Sequence, residues 1–512
     1  MDEKHDPQPV APSASPELAP RMFFLLAAAA LLIRTASWLQ ADLWYDEVIA
    51  LTEFVVGPPR ARGILWPLRF YPIPNNHILF SAISWCWLRI CRYNVAEALL
   101  RLPSICFALA AFGVIIVGWR RWLGGRLAGI TAVAFAVSPV FSAFAYQYRG
   151  YSLTMLLATL GVMATMDILD GHVRRGTLVH AVVALLLPLV IPTNALLTAT
   201  HLAFLAWEAH RRNALRRILL PLGIIAGAGA LGASYYLTIW PQFTKALQQT
   251  AGWESPLSVL LNVSLASLAH LGPLPLICLW QAGVSVHKAS PGAQDSASRQ
   301  AVRLIVACLL PMIALLVCTR SAPFPRVFLV FLPTVSFAVV RSVVHLQVWR
   351  SKSLLLVLGL VVMHAFVWER VCTWLTNKQV MDGRHPQNLL QQHYRGSTAL
   401  QEICSQAKKD DLSSRLVVLT SAHDFPTFRH YWLRFGGSLE TVIAENSDLE
   451  FAVAKAMQPG NRRLSVVAAN EVEAARLFGL IGITETFASV YYEPFRGLYV
   501  LAPPPGRRPP AP

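Results

Sequence analysis

Apolar stretches long enough to cross a bilayer recur along this chain from Met22 to about Cys372, and nothing else in the sequence limits its fold as strongly. About 20 helical residues cover the roughly 30 Å of hydrocarbon in a membrane. Eleven such stretches are present, at about 22–39, 101–119, 126–145, 152–169, 177–191, 195–208, 218–240, 257–285, 303–319, 325–345 and 352–372. The composition agrees, with 55% hydrophobic and only 14% charged residues, whereas soluble domains carry about a quarter charged. Disorder, coiled coil and an ordinary soluble enzyme are excluded for most of the length. The expected fold is a polytopic α-helical membrane protein of about eleven transmembrane helices.

The net charge of +16 does not point to nucleic acid, because Lys and Arg collect in the cytoplasmic loops of membrane proteins. With the N-terminus inside, alternate connections hold Arg120, Arg121 and Arg126, then Arg174 and Arg175, then Arg211, Arg212, Arg216 and Arg217, then Lys288 and Arg299, then Arg350 and Lys352. The opposite loops hold few basic residues. The stretch from His77 to Arg92 is too short to cross, so it reads as an amphipathic helix at the outer interface. The polar break at Pro192, Thr193 and Asn194 reads as a hairpin between two spans. The eight cysteines show neither metal spacing nor a disulfide framework.

Residues 1–20 and 503–512 read as disordered tails around a membrane domain at 21–375, whose first outer loop covers about 40–100. Strand-like runs and helical patterns alternate over 378–502, which argues for a small α/β domain. Eleven spans place that domain outside the cytoplasm. No nucleotide-binding loop, zinc pair or serine triad is visible.

The residues richest in chemistry follow the first span: Ala41-Asp-Leu-Trp-Tyr-Asp-Glu-Val48. Asp46 and Glu47 lie just past a membrane exit, beside Trp44 and Tyr45. Taken alone, such a pair is ordinary solvated charge at an aromatic belt. The loop runs on through Trp66-Pro-Leu-Arg-Phe-Tyr-Pro-Ile-Pro-Asn-Asn-His77, the interfacial helix and Arg101-Leu-Pro103. The second outer loop holds Phe144-Ala-Tyr-Gln-Tyr-Arg-Gly-Tyr-Ser-Leu153, and Pro325 to Pro333 reads Pro-Arg-Val-Phe-Leu-Val-Phe-Leu-Pro.

In order and membrane side these motifs resemble the GT-C superfamily of membrane glycosyltransferases. The likeness is to the branch of protein O-mannosyltransferases and the lipid A aminoarabinose transferase, over about residues 20–375. It implies a polyprenyl-phosphate-sugar donor and an acceptor hydroxyl on a protein, lipid or polysaccharide, in the extracytoplasmic half of a bacterial inner membrane. Asp46 matches the first-loop acid used as general base, and Glu47 either assists it or holds the loop. Asn76, His77, Tyr146, Arg149, Tyr151 and Arg326 are the donor- or substrate-binding candidates. Arg149 suits a phosphate, because guanidinium is always charged and grips bidentately; the bland alternative for Arg149 and Arg326 is a snorkelling side chain. His77 either binds a divalent metal, touches the donor or is structural. Where the lipid A branch has a second-loop acid, this chain has Tyr146, Gln147 and Arg149, so a metal shared between two acidic loops is not implied. The rival classes are a transporter or flippase of lipid-linked saccharides, which would place polar groups in broken helices at the midplane, and a non-catalytic assembly subunit of the same fold.

Overall fold

The computed structural model describes residues 20–57, 63–73, 76–249, 255–271, 293–319 and 325–343, a few residues between 359 and 371, and residue 404. In the C-terminal part it describes 415–419, 425–436, 442–444, 463–468, 487–493 and 496–501. Helix α1 (Pro20–Leu39) leads to the outer-loop helices α2 (Tyr45–Ile49), α3 (Leu65–Arg69) and α4 (Ile78–Ile90). The bundle continues through α5 (Glu97–Gly113), α6 (Arg120–Val137), α7 (Pro139–Ala145), α8 (Tyr151–Leu169), α9 (Val173–Val190), α10 (Ala195–Arg211) and α11 (Leu215–Ser234). It closes with α12 (Trp240–Gln249), α13 (Pro256–Leu271), α14 (Ala293–Thr319), a 3₁₀ turn (Pro325–Phe331) and α15 (Leu332–Val343).

Among the described residues six helices are long and apolar enough to cross a membrane, or seven if the bent pair α6–α7 forms one span. The other expected spans appear as shorter pieces: α10 has 17 residues, α13 has 16 and α15 has 12. Residues 272–285, and most of 352–372, lie outside the described residues. Large apolar side chains face outward along these helices, Ile33 at 78% exposure, Leu220 at 74% and Val317 at 69%. In water such surfaces would associate; in a bilayer they meet lipid.

One break and one missing helix bond follow directly from proline chemistry. The stretch 126–145, read from sequence as one span, bends by 68° between α6 and α7. Pro139 disfavours a helical conformation at the residue before it, and Ser138 is indeed extended (ψ 127°), its Oγ accepting the Phe141 N–H to cap α7. Pro103 lies inside α5 and has no N–H for the Leu99 carbonyl one turn back. The Trp87 indole N–H donates to that carbonyl instead, at 2.9 Å, which ties α4 to α5. At Ile191–Asn194 the chain breaks between α9 and α10, where the sequence signalled it.

Several charged and polar groups inside the bundle are paired, which offsets their desolvation. At the end of α8 remote from the outer loops, Asp167 meets Arg121 and Arg175, and Glu208 on α10 meets Arg303 and Arg212. His201 links His180 to Thr334, and His270 meets Ser138 at 2.8 Å. These histidines are held by neighbouring helices; His364 lies outside the described residues. In the C-terminal part five strands, β1 (Arg415–Leu419), β2 (Val442–Ala444), β3 (Arg463–Ala468), β4 (Phe487–Glu493) and β5 (Arg496–Leu501), form one sheet in the order β2-β1-β3-β5-β4. The first three are parallel and the last two join antiparallel. Helix α16 (Phe425–Arg434) follows β1. The helical patterns expected at 451–457 and 471–480 fall outside the described residues.

Candidate active site

The end of the first span turns into α2 at an extended Trp44 (φ −83°, ψ 171°), and Glu47 in the first turn accepts the Trp44 N–H at 3.2 Å. Acidic residues suit the positive end of a helix. Adjacent helical residues diverge by about 100°, so Asp46 and Glu47 look in different directions, and their partners differ accordingly.

Glu47 faces α5. Arg101 grips it with two parallel bonds, Nε to Oε1 at 3.0 Å and Nη2 to Oε2 at 2.6 Å, and both side chains are fully buried. The Tyr148 N–H adds a third bond to Oε1 at 2.6 Å. Arg101 also donates to the carbonyls of Trp38, Leu39, Ala41 and Asp42. Its guanidinium lies 5.4 Å from the Tyr146 ring, which stacks on Trp38. Glu47 is thus the centre of a scaffold joining both outer loops to the second span. Arg101 was quoted from the sequence only as part of a motif. The signal that marks it is an arginine opening an apolar span, where an unpaired charge is costly.

Asp46 faces the opposite way. Its Oδ2 lies 3.0 Å from Arg326 Nη2, at the start of the 3₁₀ turn, and both groups are buried. The Arg326 guanidinium also sits 5.6 Å from the Trp44 ring. Arg149 donates to the Asp46 carbonyl at 3.2 Å, and its Nη2 lies 3.1 Å from His77 Nε2. His77 Nδ1 accepts the Gly150 N–H at 2.8 Å, and the ring meets Tyr151 edge-on at 5.0 Å. Gly150 allows this approach: a Cβ there would fall 2.9 Å from His77 Nδ1 and 2.6 Å from Val190. Burial, followed by the charges of Arg149 and Arg326, holds the His77 pKa well below the ordinary imidazole value, so the ring is neutral.

The structure therefore brings together Asp46, His77, Arg149, Tyr151 and Arg326, and places Glu47 and Tyr146 behind them with Arg101. Asn76 is engaged within the loop, its amide donating to the carbonyls of Pro67 and Phe70 and accepting the Ser81 hydroxyl at 2.7 Å. A metal at His77 does not fit this arrangement. Both ring nitrogens face N–H groups, two guanidiniums stand nearby, and among the described residues no three His, Cys, Asp or Glu side chains converge to hold an ion.

The charge count is informative. Glu47 and Arg101 neutralise each other, His77 is neutral, and Arg149 and Arg326 outnumber Asp46 by one positive charge. A neutral imidazole accepts at one nitrogen only, yet Gly150 and Arg149 both point donors at it. Excess positive charge and crowded donors describe a site for an anion. An apolar cavity of about 190 Å³ opens between α7, α13, α14 and the 3₁₀ turn, lined by Val140, Val263, Cys308, Phe328, Leu329 and Phe331. Three of these belong to the turn that carries Arg326.

The bundle and outer-loop helices form a fold that is shared with solved membrane proteins. The chain is similar to ArnT from Cupriavidus metallidurans. Over 94% of this chain and 98% of that one, the TM-score is 0.53 at 15% identity for ArnT bound to undecaprenyl phosphate, and 0.52 at 16% for its apo state. No family model matches the sequence, and no curated protein does. At this identity the likeness shows the fold, the one to which the loop motifs pointed.

Proposed function

We propose that this protein is an inverting glycosyltransferase that moves a sugar from a polyprenyl-phosphate donor to an acceptor hydroxyl on the extracytoplasmic side of the membrane. The observation that carries it is the buried Asp46–Arg326 pair beside Arg149, with an apolar cavity lined by the same 3₁₀ turn that carries Arg326. The anion is the donor phosphate, and the cavity takes the first isoprene units of its tail. The similar ArnT structure holds undecaprenyl phosphate, which supports a donor of this class. In the reaction the acceptor oxygen attacks the anomeric carbon and the bond from that carbon to the phosphate oxygen breaks. The hydroxyl proton passes to the Asp46 carboxylate. The polyprenyl phosphate leaves with its charge held by guanidinium, a stabilisation strongest where charge develops in a dry site. Glu47, Arg101 and Asn76 hold the loop, and the Asp46 carbonyl accepts from Arg149.

The finer topology belongs to the same reading: eleven spans in an inner membrane, with residues 378–502 as an extracytoplasmic α/β domain. The contact of α16 with the first outer loop supports it. A reporter fused at residue 421 is expected outside the cytoplasm; a cytoplasmic signal would overturn the membrane side. The activity test is transfer from a labelled polyprenyl-phosphate sugar by purified protein, with failure across sugars and acceptors counting against the proposal.

Arg149→Lys keeps the charge and loses the planar fork. Losing one hydrogen bond to a charged group removes about 1.5–3 kcal/mol, so the apparent donor affinity should fall roughly ten-fold or more with the acceptor KM unchanged. Unaltered donor affinity in a titration of the folded variant would remove Arg149 from the phosphate site.

A further inference from the structure

The segment that leads into α2 is gripped from two sides. From α5, Arg101 holds the carbonyls of residues 38, 39, 41 and 42. From the C-terminal part, α16 reaches the same segment. The Tyr431 hydroxyl accepts the Leu43 N–H at 2.7 Å and donates to Glu97 Oε1 at 3.2 Å, and Arg434 Nη1 donates to that carboxylate oxygen at 2.5 Å. Phe428, Tyr431 and Trp432 are fully buried, and Glu97 is buried as well. Burial, with the carboxylates of Asp42 and Glu97, pushes the Tyr431 phenol far up, so it stays protonated and able to donate.

Leu43 lies two residues before the start of α2 and three before Asp46. Its peptide plane sets the direction in which that short helix leaves the membrane, and so the direction of the Asp46 carboxylate. Glu97 and Arg101 stand one turn apart on α5, so a single helix holds the segment directly through Arg101 and indirectly through Tyr431.

We propose that Tyr431 and Glu97 are positioning residues for Asp46, through which the C-terminal part of the chain aims the base without touching donor or acceptor. This rests on the reading of Asp46 as the base. A displacement of the order of 1 Å in a reacting group costs up to about 10²-fold in rate.

The test uses the full chain in detergent or nanodiscs. Tyr431→Phe keeps the ring and removes the hydroxyl. Turnover at saturating donor and acceptor should fall about ten-fold, within that range, with the donor KM unchanged. Deuterium exchange should rise in the peptide covering 41–48 while α8 stays protected. Glu97→Gln should behave the same way, and the double variant should lose little more than either single one, as coupled groups do. If Tyr431→Phe does not fold, Glu97→Gln carries the same expectation. Wild-type turnover and wild-type exchange in a folded variant would overturn the proposal. Increased exchange at 41–48, in a chain that transfers no sugar even as wild type, would overturn the glycosyltransferase reading and leave the clamp standing.

Discussion

Asp46→Asn should fold with reduced stability, because it breaks the buried pair with Arg326, and should lose sugar transfer by about 10²- to 10⁴-fold, the usual cost of removing a general base. The side chain is nearly isosteric, so the α2 turn and the scaffold around Glu47 are undisturbed. Donor binding should not weaken and is expected to tighten. On the proposed reading Asp46 and a donor phosphate would compete for the Arg326 guanidinium, 3.0 Å from the carboxylate, and a neutral amide would compete less. Falling turnover with steady or stronger donor binding separates loss of chemistry from loss of the site. Near-normal transfer by purified Asp46→Asn would show that another group takes the proton.

Glu47→Gln should act on folding instead. Breaking a buried ion pair by removing one partner's charge costs about 3–5 kcal/mol, and this carboxylate also accepts the N–H groups of Tyr148 and Trp44. The expected result is a large drop in unfolding temperature and in yield of extracted protein. Replacing the pair with apolar residues should not restore stability, as it does for simpler pairs. Without Arg101, the carbonyls of Trp38, Leu39, Ala41 and Asp42 lose their donor in a dry environment. An unchanged unfolding temperature together with vanished transfer in Glu47→Gln would move Glu47 into the chemistry.

The parts of this molecule that sequence reveals are those set by local pattern or by the solvent. The apolar runs marked α1, α5, α8, α9, α11 and α14 because a bilayer tolerates little else at that length. The order of the loop motifs, rather than the acid pair alone, singled out Asp46 and Glu47; flanking tyrosines singled out Arg149, and a place near the outer end of its span singled out Arg326. The difference in partners between the two acids was not legible. It depends on Arg101 and Arg326, which are distant in sequence and reach Glu47 and Asp46 only once the helices pack. The 68° bend at Ser138 carried a local sign, the proline that follows, but it lies within an unbroken apolar run. The grip of Tyr431 on Leu43 carried none, since a tyrosine in a short amphipathic helix looks like any core residue.

The Asp46–Arg326 pair also bears on how the protein is made. The two residues are about 280 positions apart, and at about 5–20 residues per second a ribosome needs roughly a quarter of a minute to one minute to pass from one to the other. Throughout that time the acid-bearing loop exists but its cationic partner does not. A nascent or prematurely terminated chain therefore holds the carboxylate without the guanidinium that neutralises it at 3.0 Å in the finished protein.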